Sequence, residues 1–171
     1  MPRFDRDGDA RIPYSSAQSL MGRRPGAVGD YLELGEAIAE HGSDVDADLA
    51  ELWRRIAFFL AVNNVDDHLR NHGLLRARGG WTLSPVFDVN PDPRPAMARA
   101  TPIGGTSASE PGVDALLANA VRFGLDSAVA EGHWQDVRSV VGAWRSVADD
   151  AGISSHEQDT FAPALDRWPP A

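Results

Sequence analysis

The chain has 171 residues, 43% of them apolar, with a formal net charge of −9 and a pI near 4.9. That length supports one domain with a real core, while the acidic balance argues against direct nucleic-acid binding, which relies on basic patches that neutralise phosphates. The absence of cysteine removes disulfides and thiolate metal sites and fits a reducing cytoplasm, and neither a run of about 18 apolar residues that could span a membrane nor an apolar signal segment at the start is present.

Residues 1–26 are rich in Arg, Asp, Gly and Pro, which predicts extended chain and loop with one helical turn at Ser16–Met21. From Asp30, Tyr31, Leu34 and Ile38 recur at helical spacing, and Gly42 supplies a stop. Ser43 or Asp44 caps a second helix over about 46–62, whose Leu49, Leu52, Trp53, Ile56, Phe59 and Leu60 form a wide apolar stripe. It runs into NNVDDHLRNHG, where Asn and Asp compete for backbone groups and end the helix. A hairpin follows, Leu74–Arg76 and Trp81–Leu83 about a Gly79-Gly80 turn. Residues 90–112 read as loop, and three helices are expected beyond, at Val113–Phe123, Ser127–Ala148 (weakened at Gly132 and Gly142) and Ser154–Leu165. The expected fold class is mainly α, with one small hairpin.

Chemistry is concentrated in one place. Asp66 precedes Asn71 by five residues, the hairpin follows, and Asp88 sits just after its second strand. Phosphoryl transfer from a nucleotide asks for few protein parts: a carboxylate that orients or deprotonates the attacking hydroxyl, and hard oxygen ligands for Mg²⁺. Protein kinases place an Asp and an Asn at this same step, with a second Asp beyond a hairpin. On that pattern Asp66 is the base, Asn71 a metal ligand and Asp88 the main metal ligand. Taken alone, Asp66 reads better as a turn residue bonding its own backbone. His68 reads as a group that holds the loop, Asp67 and His72 as solvated loop residues, and Asn63 and Asn64 as helix caps. A hydrolytic metal site from His41, His68, His72, Asp66 and Asp88 lacks the His-Glu-x-x-His spacing, and no Gly-x-Ser-x-Gly elbow exists for a serine hydrolase.

The stretch NVDDHLRNHGLL…GGWTLSPVFDVNP resembles the catalytic region of the HipA-like serine/threonine kinases, toxins of bacterial toxin–antitoxin pairs. Asp66, His68 and Asn71 match the family's Asp-x-His-x-x-Asn loop, and Ser84, Pro85, Phe87 and Asp88 its Ser/Thr-Pro-x-aromatic-Asp segment. RFDRDGDARIPYSSAQSLMG is similar to the hinge and the segment after it, and LLANAVRFGLDSAVA and the Trp144 helix to the C-terminal helices. The resemblance implies one C-terminal kinase lobe over 1–171: hinge and entry segment at 1–26, catalytic loop, hairpin and metal segment at 63–91, C-terminal helices at 113–166. It implies Mg²⁺ and ATP as cofactors, catalytic roles for Asp66 and His68, metal ligation by Asn71 and Asp88, and nucleotide contact at the hinge residues Phe4 and Asp5, with Phe4 near the adenine. It also implies a protein substrate, a HipB-like antitoxin partner, and an N-terminal lobe supplied from elsewhere, for instance a separately encoded chain. That lobe carries the phosphate-binding loop and a Lys. All sixteen basic residues here are Arg, so none can fill the Lys role. The alternative is a non-catalytic remnant that binds a helix-turn-helix antitoxin.

Overall fold

The structure, a computed structural model, describes residues 3–168. About half of them are helical, with two small sheets. Strands β1 (Arg6–Asp7) and β2 (Ala10–Arg11) pair as a short hairpin. Strand β3 (Tyr14–Ser16) leads into one turn of helix, α1 (Ala17–Leu20), where the Ser16 hydroxyl accepts from the Ser19 N–H. Helix α2 (Tyr31–His41) begins at a capping box between Asp30 and Glu33. The Asp30 carboxylate also accepts the Gly104 and Gly105 amides at 3.0 and 2.8 Å, so one cap anchors a distant loop.

Helix α3 (Val45–Ala61) is the centre of the core: Leu52, Trp53, Ile56 and Leu60 are fully buried, as the apolar stripe predicts. Helices α2, α4 (Ser109–Ala118) and α5 (Ser127–Gly142) pack around it. The chain closes with α6 (Trp144–Asp150) and α7 (Ser155–Leu165), the latter on a second capping box, between Ser154 and Glu157.

Several expectations change. The hairpin, β4 (Gly73–Ala77) and β5 (Gly80–Leu83), is not alone: β3 pairs antiparallel with β4, giving the order β3-β4-β5. A three-residue strand carries too little periodicity to be read without its partner. Helix α4 begins at Ser109 rather than at 113, because Pro111 falls in the first turn, where a missing N–H costs nothing, and it gives way to a 3₁₀ turn at Ala120–Phe123. The helix expected over 127–148 divides at Ala143, beside one of its two weak points. Among the described residues no helix is long and apolar enough to cross a membrane.

A close backbone approach and a buried side-chain anchor fix the sheet against the helices. A Cβ on Gly80 would lie 2.6–2.8 Å from backbone atoms of His41 and Gly42, so only glycine lets the hairpin turn seat on the end of α2. At the other end, buried Asp48 on α3 accepts from the Thr82 hydroxyl and the Leu83 N–H at 3.0 and 3.1 Å.

Candidate active site

Helix α3 ends where the sequence turns polar. The Asn64 N–H donates to the Phe59 carbonyl and the Asn63 N–H to the Leu60 carbonyl, with Asn63 left-handed at φ +56°. This is a Schellman ending with Asn in the place where Gly is usual. Asn63 does more than cap: its amide donates to the carbonyls of Asp92 and Arg94 at 2.6 and 3.2 Å, and its Oδ1 accepts from Ser109 and from the Arg167 guanidinium, at 3.3 and 2.9 Å.

Beyond the helix the chain is extended, and burial alternates. Val65, Asp67 and Leu69 point inward, while Asp66 and Arg70 are exposed. Period-two alternation therefore separates the two adjacent aspartates. Asp66 makes no side-chain hydrogen bond or ion pair among the described residues. Asp67 is buried against His72, whose Nε2 lies 3.1 Å from both carboxylate oxygens. The His72 ring also meets Tyr31 edge-on at 5.4 Å. The reading of Asp67 and His72 as solvated loop residues is thus overturned: they are the buried brace beneath the loop. Their signal was in the sequence, in the alternation of Val65, Asp67 and Leu69.

Arg99 completes this layer. It is buried, donates to the Phe59 carbonyl at 3.4 Å, and leaves Nε and one terminal nitrogen without partners. Burial pulls its guanidinium down to about 10, and the charge of Asp67 pulls the other way. Thr101 donates to the Asp67 carbonyl at 2.5 Å, and the Ala100 N–H to the Val65 carbonyl at 2.8 Å, so segment 99–101 clamps the loop from one side.

Asp88 reaches the site from the other side. The Asn90 N–H donates to Asn64 Oδ1 at 3.3 Å, and the Asp92 N–H to the Asn63 carbonyl at 3.0 Å. These bonds tie the two segments together, and Asp66 and Asp88 each lie two residues along the chain from the Asn64–Asn90 bond. Asp88 is exposed and left-handed at φ +57°, and accepts from the Asn90 amide at 2.8 Å. A non-glycine residue held there is an uncommon conformation that clusters at functional sites. Asn71 donates its amide to the Asp66 carbonyl at 3.3 Å, which leaves its own Oδ1 unspent.

His68 meets the loop through its backbone, its N–H bonding the Asp66 carbonyl and its carbonyl accepting the Asn71 N–H. Its Nε2 lies 3.3 Å from an Arg70 guanidinium nitrogen, and its Nδ1 is buried without a partner. At the edge of the site Phe4 stacks on Phe87 at 6.0 Å and packs on Tyr14 at 6.3 Å. The apolar groups most exposed there are Tyr14 and Val86, rather than the Trp or Leu side chains a receiving face would be expected to show. Burial raises the Tyr14 hydroxyl above its ordinary value. The Asp5 carboxylate is taken by a two-bond clamp from Arg3, at 2.8 and 2.6 Å, which holds it below the usual carboxylate range. Among the described residues no three His, Asp or Glu side chains converge on one point. His72 is turned inward to Asp67, which further removes it from the hydrolytic alternative.

Fold and loop together define a half-helical lobe that presents a polar loop, an Asp-bearing return segment and an aromatic wall on one side. The family model for the HipA-like C-terminal domain matches residues 1–144, and the chain belongs to that family. A solved structure of similar fold is HipA of Shewanella oneidensis MR-1, in a toxin–antitoxin complex of HipA, HipB and operator DNA. The TM-score is 0.73 at 17% identity, over 96% of this chain and 46% of that one. The likeness is one of fold, and this chain spans a little under half of that relative's length. No curated protein sequence matches.

Proposed function

We propose that this chain is the catalytic lobe of a HipA-like serine/threonine kinase that acts together with a nucleotide-binding lobe supplied outside these residues. The observation that carries the reading is that two segments tied by the Asn64–Asn90 bond each carry an exposed carboxylate two residues from it, Asp66 and Asp88, while Asn71, bonded through its amide to the Asp66 carbonyl, keeps its Oδ1 unspent. The donor set suits Mg²⁺, which takes hard oxygens, uses one or two carboxylates and keeps waters and phosphate oxygens as its other ligands. Asn71 and Asp88 would hold the ion. When bound, it neutralises charge on the transferring phosphoryl group.

Asp66 orients the acceptor hydroxyl of a protein substrate and takes its proton. An exposed carboxylate with no cation partner is free to do both. The buried Asp67–His72 pair keeps that carboxylate outward, and His68 steadies the turn between Asp66 and Asn71. The face of Phe4, backed by Phe87 and Tyr14, packs against the adenine of ATP, and Asp5 fixes the hinge through its clamp with Arg3. A HipB-like antitoxin as partner is supported by the company of the structural relative, which was solved with HipB and operator DNA. In such a complex the DNA contact is the partner's, in keeping with a net charge of −9 here.

The test is phosphate transfer from labelled ATP with Mg²⁺. The purified chain is assayed alone and with the product of the adjacent upstream reading frame, and the Asp66→Ala variant is the control. Label that needs the second chain and vanishes in Asp66→Ala is the expected result. Absence of label under both conditions would favour a non-catalytic domain that acts by binding the antitoxin.

A further inference from the structure

A cavity of about 270 Å³ opens beside the catalytic loop, walled by His68–Arg70 on one side and by the 26–29 loop, Gln18 and Thr101 on the other. In a chain with 25 acidic residues, no Asp or Glu lines it. The charged group on its wall is Arg70. The guanidinium is exposed, and its one side-chain partner is the ring of His68. The side-chain amide of Gln18 has no partner among the described residues. Two donor groups thus face one opening with hydrogen-bonding capacity unspent.

The walls are built to keep that opening clear. Gly29 packs so tightly on Leu69 that a Cβ there would lie 2.4 Å from the leucine Cδ1. The Gln18 N–H donates to the Leu69 carbonyl at 3.3 Å, which joins the entry segment to the loop just behind the cavity. The opening follows Asp66 in sequence: its wall begins at His68, whose N–H bonds the Asp66 carbonyl and whose carbonyl accepts the Asn71 N–H.

Resting on the kinase reading above, we infer that this cavity is a substrate subsite that seats an acidic side chain, Asp or Glu, of the protein segment presenting its hydroxyl to Asp66. Arg70 and Gln18 supply the donors. A guanidinium matches a carboxylate with two parallel N–H···O bonds, a geometry neutral side chains do not offer. Arg70 lies four residues beyond Asp66, and an extended segment advances about 3.3 Å per residue, so the acidic residue falls within about four positions of the acceptor hydroxyl.

The experiment is a titration of the full chain, followed by NMR at the amides of Gly26, Gly29 and Leu69. The probes are short Ala/Gly peptides carrying one Ser and, three positions away, either Glu or Gln. The expected result is saturable shifts at those amides, with the Glu peptide bound about tenfold tighter than the Gln peptide, as a charge-assisted bond implies. The Arg70→Gln variant should erase that difference. Arg70 is exposed and lies outside the catalytic set, so the variant is expected to unfold at the wild-type midpoint. Equal binding of the two peptides, a preference that survives Arg70→Gln, or no shift with either peptide would overturn the subsite. Phosphate transfer from labelled ATP with Mg²⁺ and the product of the adjacent upstream reading frame, measured alongside, separates the two readings. Transfer without peptide binding removes the subsite alone, whereas peptide discrimination without transfer leaves a carboxylate-binding site and removes the kinase.

Discussion

Asp66 and Asp67 are neighbours with opposite fates. One faces solvent with no partner, and the other is sealed against His72 with Arg99 nearby. Removing a buried hydrogen-bond partner leaves the other group unsatisfied. Asp67→Ala should therefore cost about 1–3 kcal/mol of stability in chemical denaturation, whereas Asp66→Ala, at an exposed position, should leave the midpoint nearly unchanged. Asp88 makes a different prediction. If it ligates Mg²⁺, then Mg²⁺ with nucleotide raises the unfolding temperature of the wild type by mass action, and Asp88→Asn removes that gain. A gain that persists in the variant would show the ligand lies elsewhere. At this scale the candidate site residues stand out in the sequence because each sits in a spaced motif. The brace beneath them was missed because Asp67 and His72 look polar and therefore solvent-facing. It is the period-two placement of Val65 and Leu69 that turns Asp67 inward.

Elements were read well wherever their signals are local. Helix α2 has its Asp30 cap and Gly42 stop, α3 its apolar stripe, and α7 its Ser154 box. What escaped depends on a distant partner: β3 needs β4 across more than fifty residues of chain. The break at Ala143 falls beside Gly142, a local weak point of the sequence. The sheet yields a comparison between two of its glycines. A Cβ on Gly80 would strike the backbone of His41 and Gly42, which cannot step aside. A Cβ on Gly73 would strike the Ser84 hydroxyl and the ring of Tyr14, and Tyr14 is 43% exposed and can swing away. Gly80→Ala should cost about 3 kcal/mol and Gly73→Ala only about 1, within the usual range for overpacking. Thermal unfolding of both variants checks the order, and equal losses would mean that the backbone near Gly42 yields more than the contact implies.

For the molecule as a whole, acid is the natural stress, because several carboxylates are held below their ordinary values. Asp166 accepts from the Trp144 indole and from Arg145, both at 2.8 Å, and the indole bond is the larger cause of its lowered value. Glu157 is lowered by the Ser154 hydroxyl and backbone. A depressed value means that the folded state binds fewer protons, so this stabilisation is complete above about pH 4 and is lost as the pH falls through the folded values. The unfolding midpoint should therefore drop on acidification below about pH 4. Asp166→Asn, already without its charge, should show a shallower drop, and an unchanged acid limb would assign the loss to other carboxylates.

Asn63 has a last consequence. It stands at the corner where α3 ends, and the Arg167 guanidinium that meets it comes from beyond residue 144, past the stretch the family model covers. The same guanidinium reaches the carbonyls of Pro95 and Leu60. The turn that carries Arg167 is thus a strut wedged under the root of the polar loop that follows α3. Shortening the protein to its recognisable family portion would knock that strut away, leaving every signature residue in place but the ground beneath them loosened.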